Sequence, residues 1–209
     1  MNPLLIAFAG VLLVPLFVAS WRLSLFGLAV QGILLATISY QLDPNLDSVA
    51  AWIGLFDLLI VRGLGAPLVL YAVLLKQGAP PRNDVLPPNL MSWTLAVAFL
   101  IGGFRFADLL VPVEGMEHGF VAVAAAALLL GLLVLATQTG VFSQIVGALR
   151  IENAIALLEM SGSHGDEDPA MRIAQMLILI GTVLLFRWYL RTIPRGSVAK
   201  ASAVEGMGT

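Results

Sequence analysis

Residues 120–137 read FVAVAAAALLLGLLVLAT, eighteen positions without a charge or a proline and with a single hydroxyl. A helix needs roughly 20 apolar residues to cross a hydrocarbon core of about 30 Å, so this stretch predicts a transmembrane helix. Residues 3–20, 23–40, 49–75, 90–111, 141–160 and 170–190 have the same character by hydropathy windows. The breaks between them carry turn chemistry: Asp43-Pro44-Asn45, Gly78-Ala79-Pro80-Pro81, Pro87-Pro88-Asn89 and Ser161-Gly162-Ser163-His164-Gly165. The expected fold is all-α, a polytopic bundle of about seven spans over residues 1–193, followed by a short polar tail at 194–209. The run at 3–20 has no positive residue before it and is long enough to span, so it reads as the first helix rather than a cleavable signal.

Composition narrows the function classes. Of 209 residues, 59% are hydrophobic and 11% charged, against about 45–50% and about 25% in a soluble domain. Mean hydropathy is +0.96. One small water-soluble core cannot hide that much apolar surface, which excludes an ordinary cytosolic enzyme. A net charge of −2 leaves no basic surface for a phosphate backbone, so no nucleic-acid partner is expected. The absence of cysteine removes disulfides, thiolate metal sites, iron–sulfur ligation and thiol nucleophiles. His118 and His164 alone do not make a histidine-rich metal site. The chain is expected to hold no metal and no cofactor, with redox chemistry left to partners.

The loop charges sort by side. Arg22, Lys76, Arg82, Arg191, Arg195 and Lys200 lie on one side. Asp43, Asp47, Glu114, Glu117, Asp166, Glu167 and Asp168 lie on the other, with Arg172 as the exception. The positive-inside rule places the basic set and the C-terminus in the cytoplasm and the N-terminus outside, which an odd number of spans satisfies. Trp21, Trp52, Trp93, Trp188 and Tyr189 sit near span ends, where interfacial aromatics belong.

Charges inside spans cost at least about 2.5–3.5 kcal/mol each at a helix centre and persist when paired, solvated or functional. The third span carries Asp57 and Arg62, five residues apart. At 3.6 residues per turn they project about 140° from each other, so each is expected to meet another helix rather than its neighbour. The fourth span carries Arg105 and Asp108, whose spacing of three lets them pair on one face. The sixth span is richest, with Arg150, Glu152 and Asn153 expected to cluster near its centre and Glu159 two turns further on. Glu152 and Glu159 share a face, about 10 Å apart along the axis. Low dielectric favours a protonated carboxyl, so Glu152, Glu159 and Asp57 are candidate ion-relay groups. Arg62 and Arg150 are candidate field-setting cations, and Asn153 a group that orients water or a carboxylate. The alternative is a polar knot that only fixes packing. Gly140 and Gly147 predict close helix approach.

Three ordered motifs resemble one family. The run Gln138-Thr139-Gly140-Val141-Phe142-Ser143-Gln144-Ile145-Val146-Gly147, then Arg150-Ile151-Glu152-Asn153, resembles the component E membrane subunit of hydrogenase-4. The start of the second span, Trp21-Arg22-Leu23-Ser24, and the segment from Leu59 to Leu68 with its Arg62 and Pro67 are similar to that family as well. The resemblance covers most of the chain, and the C-terminal half is similar to the K-type subunit of complex I. It implies a multi-pass subunit of the bacterial cytoplasmic membrane, in a complex I-like assembly such as a group 4 hydrogenase or formate hydrogenlyase. Its implied role is to couple electron transfer to proton or sodium translocation, or to scaffold the subunits that do. The implied partners are antiporter-like membrane subunits, a membrane-anchor subunit and hydrogenase-like peripheral subunits. Carried over, Glu152 matches the in-span glutamate and Arg62 the basic position. The chain departs from the pattern in having arginine rather than lysine there, and in having Gln175 where an acid is expected in the last span. The rival readings are an autonomous small transporter or channel and a purely structural membrane subunit.

Overall fold

A computed structural model describes residues 2–17, 20–77, 90–113, 115–138, 140–162 and 168–192. The tail at 194–209, Arg82, Glu114, His164, Asp166 and Glu167 lie outside the described residues. The described residues are helical, without strands. In order they form α1 (Pro3–Phe17), α2 (Trp21–Leu42), α3, α4 (Leu90–Leu110), α5 (Met116–Thr137), α6 (Val141–Gly162) and α7 (Pro169–Thr192). The third helix is one rod in three registers: Val49–Phe56, a π-helical stretch Asp57–Gly65, and Ala66–Gln77. Six of the seven are long and apolar enough to cross a membrane. The seventh, α1, is described over 15 residues, and residues 18 and 19, which follow it, lie outside the described residues.

Local chemistry sets the helix ends. Ser20 and Ser48 accept from the amides of Leu23 and Ala51 and so cap α2 and α3. Asp168 accepts from the amide of Ala170 at 2.9 Å, with Pro169 as the first residue of α7. Within the spans, the hydroxyls of Thr37, Thr94, Thr137 and Thr182 donate back to the carbonyl four residues earlier. A hydroxyl satisfied by its own helix needs no water in the bilayer.

The centre of the bundle is α5, which packs on α1, α4 and α6. Its Ala122, Ala124, Ala126 and Ala127 are fully buried, because alanine lets neighbouring backbones come close. A Cβ on Gly103 of α4 would stand 2.6 Å from the amide nitrogen of Ala126. The tightest crossing joins α2 to α3, where a Cβ on Gly32 would stand 2.4 Å from the nitrogen of Gly63. The expected approach at Gly147 occurs against Leu135 and Val134 of α5, while Gly140 lies in the turn before α6. α7 packs on the two arms of α3, and its most apolar window is only 11% buried. Trp52, Trp93, Trp188 and Tyr189 are exposed as expected of interfacial aromatics. Trp21 differs: it is buried edge-on against Phe142, 4.6 Å between ring centroids, and ties α2 to α6.

Candidate membrane-embedded polar site

Asp57 and Arg62 do pair, against the expectation from α-helical spacing. Arg62 Nε donates to Asp57 Oδ2 at 2.8 Å, with both side chains nearly buried. The reason is register. A π turn closes i→i+5 hydrogen bonds, as between the Ala66 amide and the Val61 carbonyl, so residues five apart stack on one face. Pro67 accounts for the widened turn. It has no N–H to offer the Gly63 carbonyl, and its ring would clash with that carbonyl in an α register.

The Arg62 guanidinium then reaches α6, where Nη1 donates to the carbonyl of Glu152 at 3.0 Å. Arg62 thus joins Asp57 on its own helix to a main-chain acceptor on another. The position is central, at the fourteenth of the 28 residues in the span Val49–Lys76. Gly32 makes this possible, since the Arg62–Gly63 backbone lies where any side chain at 32 would be.

Beside the pair is a small cavity of about 20 Å³, room for a single water. Its polar lining comes from Asp57, Arg62, Glu159, Arg172 and Gln175. Gln175 Nε2 donates to Glu159 Oε1 at 3.3 Å, and Arg172 lies 3.9 Å from Glu159 Oε2. Two acids and two bases therefore meet around one water-sized space. The second carboxyl oxygen of Asp57 is buried and has no partner among the described residues.

A second polar group lies deeper, between α2 and α6. Arg150, 2% exposed, donates through Nη2 to the carbonyl of Ser24 at 3.0 Å. A Cβ on Gly27 would stand 3.4 Å from the same nitrogen. Gln31 is 0% exposed and lies on the same face of α2, about 20° from Ser24 by helical repeat. Its neighbour Gly32 lies against the Arg62–Gly63 backbone, and Arg62 reaches the carbonyl of Glu152, next to Asn153. Ser24 Oγ, both amide atoms of Gln31 and Asn153 Nδ2 have no hydrogen-bond partner among the described residues. A buried polar atom left unpaired costs about 1–3 kcal/mol, and polar sites of this kind hold internal water.

The polar residues of α6 are thus split rather than clustered. Arg150 faces α2 and Asn153 is buried, whereas Glu152 turns about 160° away from Arg150. Arg150 does not hold Glu152, contrary to the expectation of a shared cluster. Glu159 does follow Glu152 on the outer face and is half-buried. Arg105 and Asp108 pair as expected at 3.5 Å, and His118 joins them at 2.9 Å from Asp108. This group is a knot at the end of α4, with Arg105 exposed and the His118 side chain largely buried. Among the described residues no group of three or more acids or histidines could hold a metal.

Sequence reasoning passed over Gln31, and placed Arg172 and Gln175 without a role. Arg172 had a signal, as the one base on the acidic side of the charge sorting. Gln31 had a weaker one, as the sole long polar side chain between Arg22 and Gln41. Comparison with protein-family models, curated proteins and solved structures finds no match to this chain.

Proposed function

We propose that this chain is a membrane-arm subunit of a complex I-like redox assembly, of the group 4 hydrogenase or formate hydrogenlyase type. Its role is to couple electron transfer to proton or sodium movement, or to scaffold the subunits that do, in a bacterial cytoplasmic membrane. Redox centres reside in hydrogenase-like peripheral subunits, reached through antiporter-like and membrane-anchor subunits. The N-terminus is outside and the C-terminus cytoplasmic. The motifs around Trp21, Arg62 and Glu152 support the family reading.

The observation that supports coupling is the mid-span Asp57–Arg62 pair, which lines one water-sized cavity with Glu159, Arg172 and Gln175. Asp57 and Glu159 exchange protons through the cavity. Arg62 and Arg172 set the field around them, since arginine stays charged and serves as a counter-ion rather than a carrier. Gln31, Asn153 and Arg150 continue the polar seam toward the Trp21 end of α2.

Mild-detergent purification of the tagged chain, with its companions identified by mass, tests this reading. Antiporter-like and hydrogenase-like subunits are expected to co-purify. A monodisperse, well-folded monomer without companions overturns it.

A further inference from the structure

The geometry points to the outward face of α6, centred on Glu152, as the docking surface for a transmembrane helix of another subunit that carries a lysine or arginine at mid-membrane. This rests on the reading of the chain as a subunit and adds the chemistry of one neighbour.

Four observations carry it. Glu152 is the twelfth of the 22 residues of α6, about 16 Å from either end, which is the middle of the span. Its side chain is half-buried, and among the described residues it makes no ion pair and no hydrogen bond. Among the described residues nothing covers the face around it: Gln144 and Ile155 are exposed, and Ala148 is half-buried. α7, the next helix in sequence, packs on α3 and meets α6 near Glu159 instead.

A carboxylate left against lipid at that depth is expensive, and the usual remedy is an opposite charge. Among the described residues the nearby bases are engaged elsewhere. Arg62 pairs with Asp57, Arg150 donates to Ser24, and Arg172 lies beside Glu159. The charge must come from outside, and the depth requires an occupant that itself crosses the membrane. Ala148, one turn from Glu152, leaves room for a close helix approach. A second copy of this chain would set Glu152 against another carboxylate, so it does not fit.

The test uses the intact assembly in its own membrane. A benzophenone amino acid replaces Ile155, and irradiation is followed by peptide mapping. The expected result is a crosslink to a transmembrane segment of another subunit that contains a lysine or arginine. Glu152→Gln, which keeps the shape, is expected to lower retention of that subunit about tenfold, as loss of roughly 1.4 kcal/mol of binding would. Glu152→Lys is expected to abolish retention, and exchanging the partner's base for glutamate to restore it. Crosslinks only to lipid, to a second copy, or to a segment without a base overturn the proposal, as does undiminished retention with Glu152→Gln. Companions that co-purify without crosslinking from position 155 overturn this proposal alone. Absence of any companion overturns the proposed function as well.

Discussion

Asp57 and Arg62 are five residues apart on one helix, yet their side chains meet at 2.8 Å. Arg62 Nη1 also donates to α6, so one guanidinium joins an acid of its own rod to the Glu152 carbonyl. Removing Arg62 would leave Asp57 buried without its counter-charge. Arg62→Ala is expected to destabilise the folded chain by about 3–5 kcal/mol, the scale for breaking a buried pair. Asp57→Asn together with Arg62→Gln should cost less than Arg62→Ala alone. Thermal unfolding in detergent, run as a double-mutant cycle, checks both.

Pro67 is expected to hold the register that makes the pair. Pro67→Ala restores an N–H for the Gly63 carbonyl and lets the segment relax toward α geometry. In that geometry Asp57 and Arg62 diverge by about 140°. The coupling measured between positions 57 and 62 should therefore fall in the Pro67→Ala background. Unchanged coupling would show that another feature fixes the π turn.

Gly32 tests the crossing of α2 and α3. Its missing Cβ would stand 2.4 Å from a backbone nitrogen, which cannot swing aside as a side chain could. Gly32→Ala is expected to destabilise by about 1–3 kcal/mol or more, the usual cost of overpacking. Gly54→Ala meets nothing within 4 Å and serves as the control. Melting temperatures of the two variants in one detergent should separate clearly.

Glu159 separates coupling from architecture. Its side chain is 38% exposed, so Glu159→Gln should leave assembly intact. It keeps an acceptor for Gln175 while removing the titration. In reconstituted vesicles, ion movement per electron is expected to fall several-fold while electron transfer continues. Full coupling with Glu159→Gln would remove this residue from any relay.

Topology has a direct test. A reporter fused after Thr209 should be active only in its cytoplasmic form, given the basic bias of that side. Periplasmic activity there would invert the orientation and the odd span count together.

The spans were legible because runs such as 120–137 carry one message at every position. The pairing inside α3 was not, because spacing at 3.6 residues per turn does not hold where the segment winds wider. Pro67 was in plain view, but a proline predicts a disturbed helix without saying which register replaces it. In α6, closeness in sequence is not closeness in space. Arg150 and Glu152 are two apart, and helical residues at that spacing do not face each other. Arg172 and Gln175 find Glu159 through the fold of α7 back toward α3, a relationship that no local spacing encodes. Gln31 is placed by the Gly32–Gly63 crossing, which depends on two glycines distant in sequence.

The stacking of Asp57 on Arg62 also bears on biogenesis. Both charges, and the proline that sets their spacing, ride on one helix. That segment can enter the bilayer from the insertion machinery as an electrically neutral unit, without waiting for a neighbouring helix to neutralise it. Arg150 is in the opposite position, since its acceptor at Ser24 belongs to α2. By the time α6 emerges from the ribosome, α2 has already been made, and the carbonyl that receives the guanidinium is in place before the charge arrives.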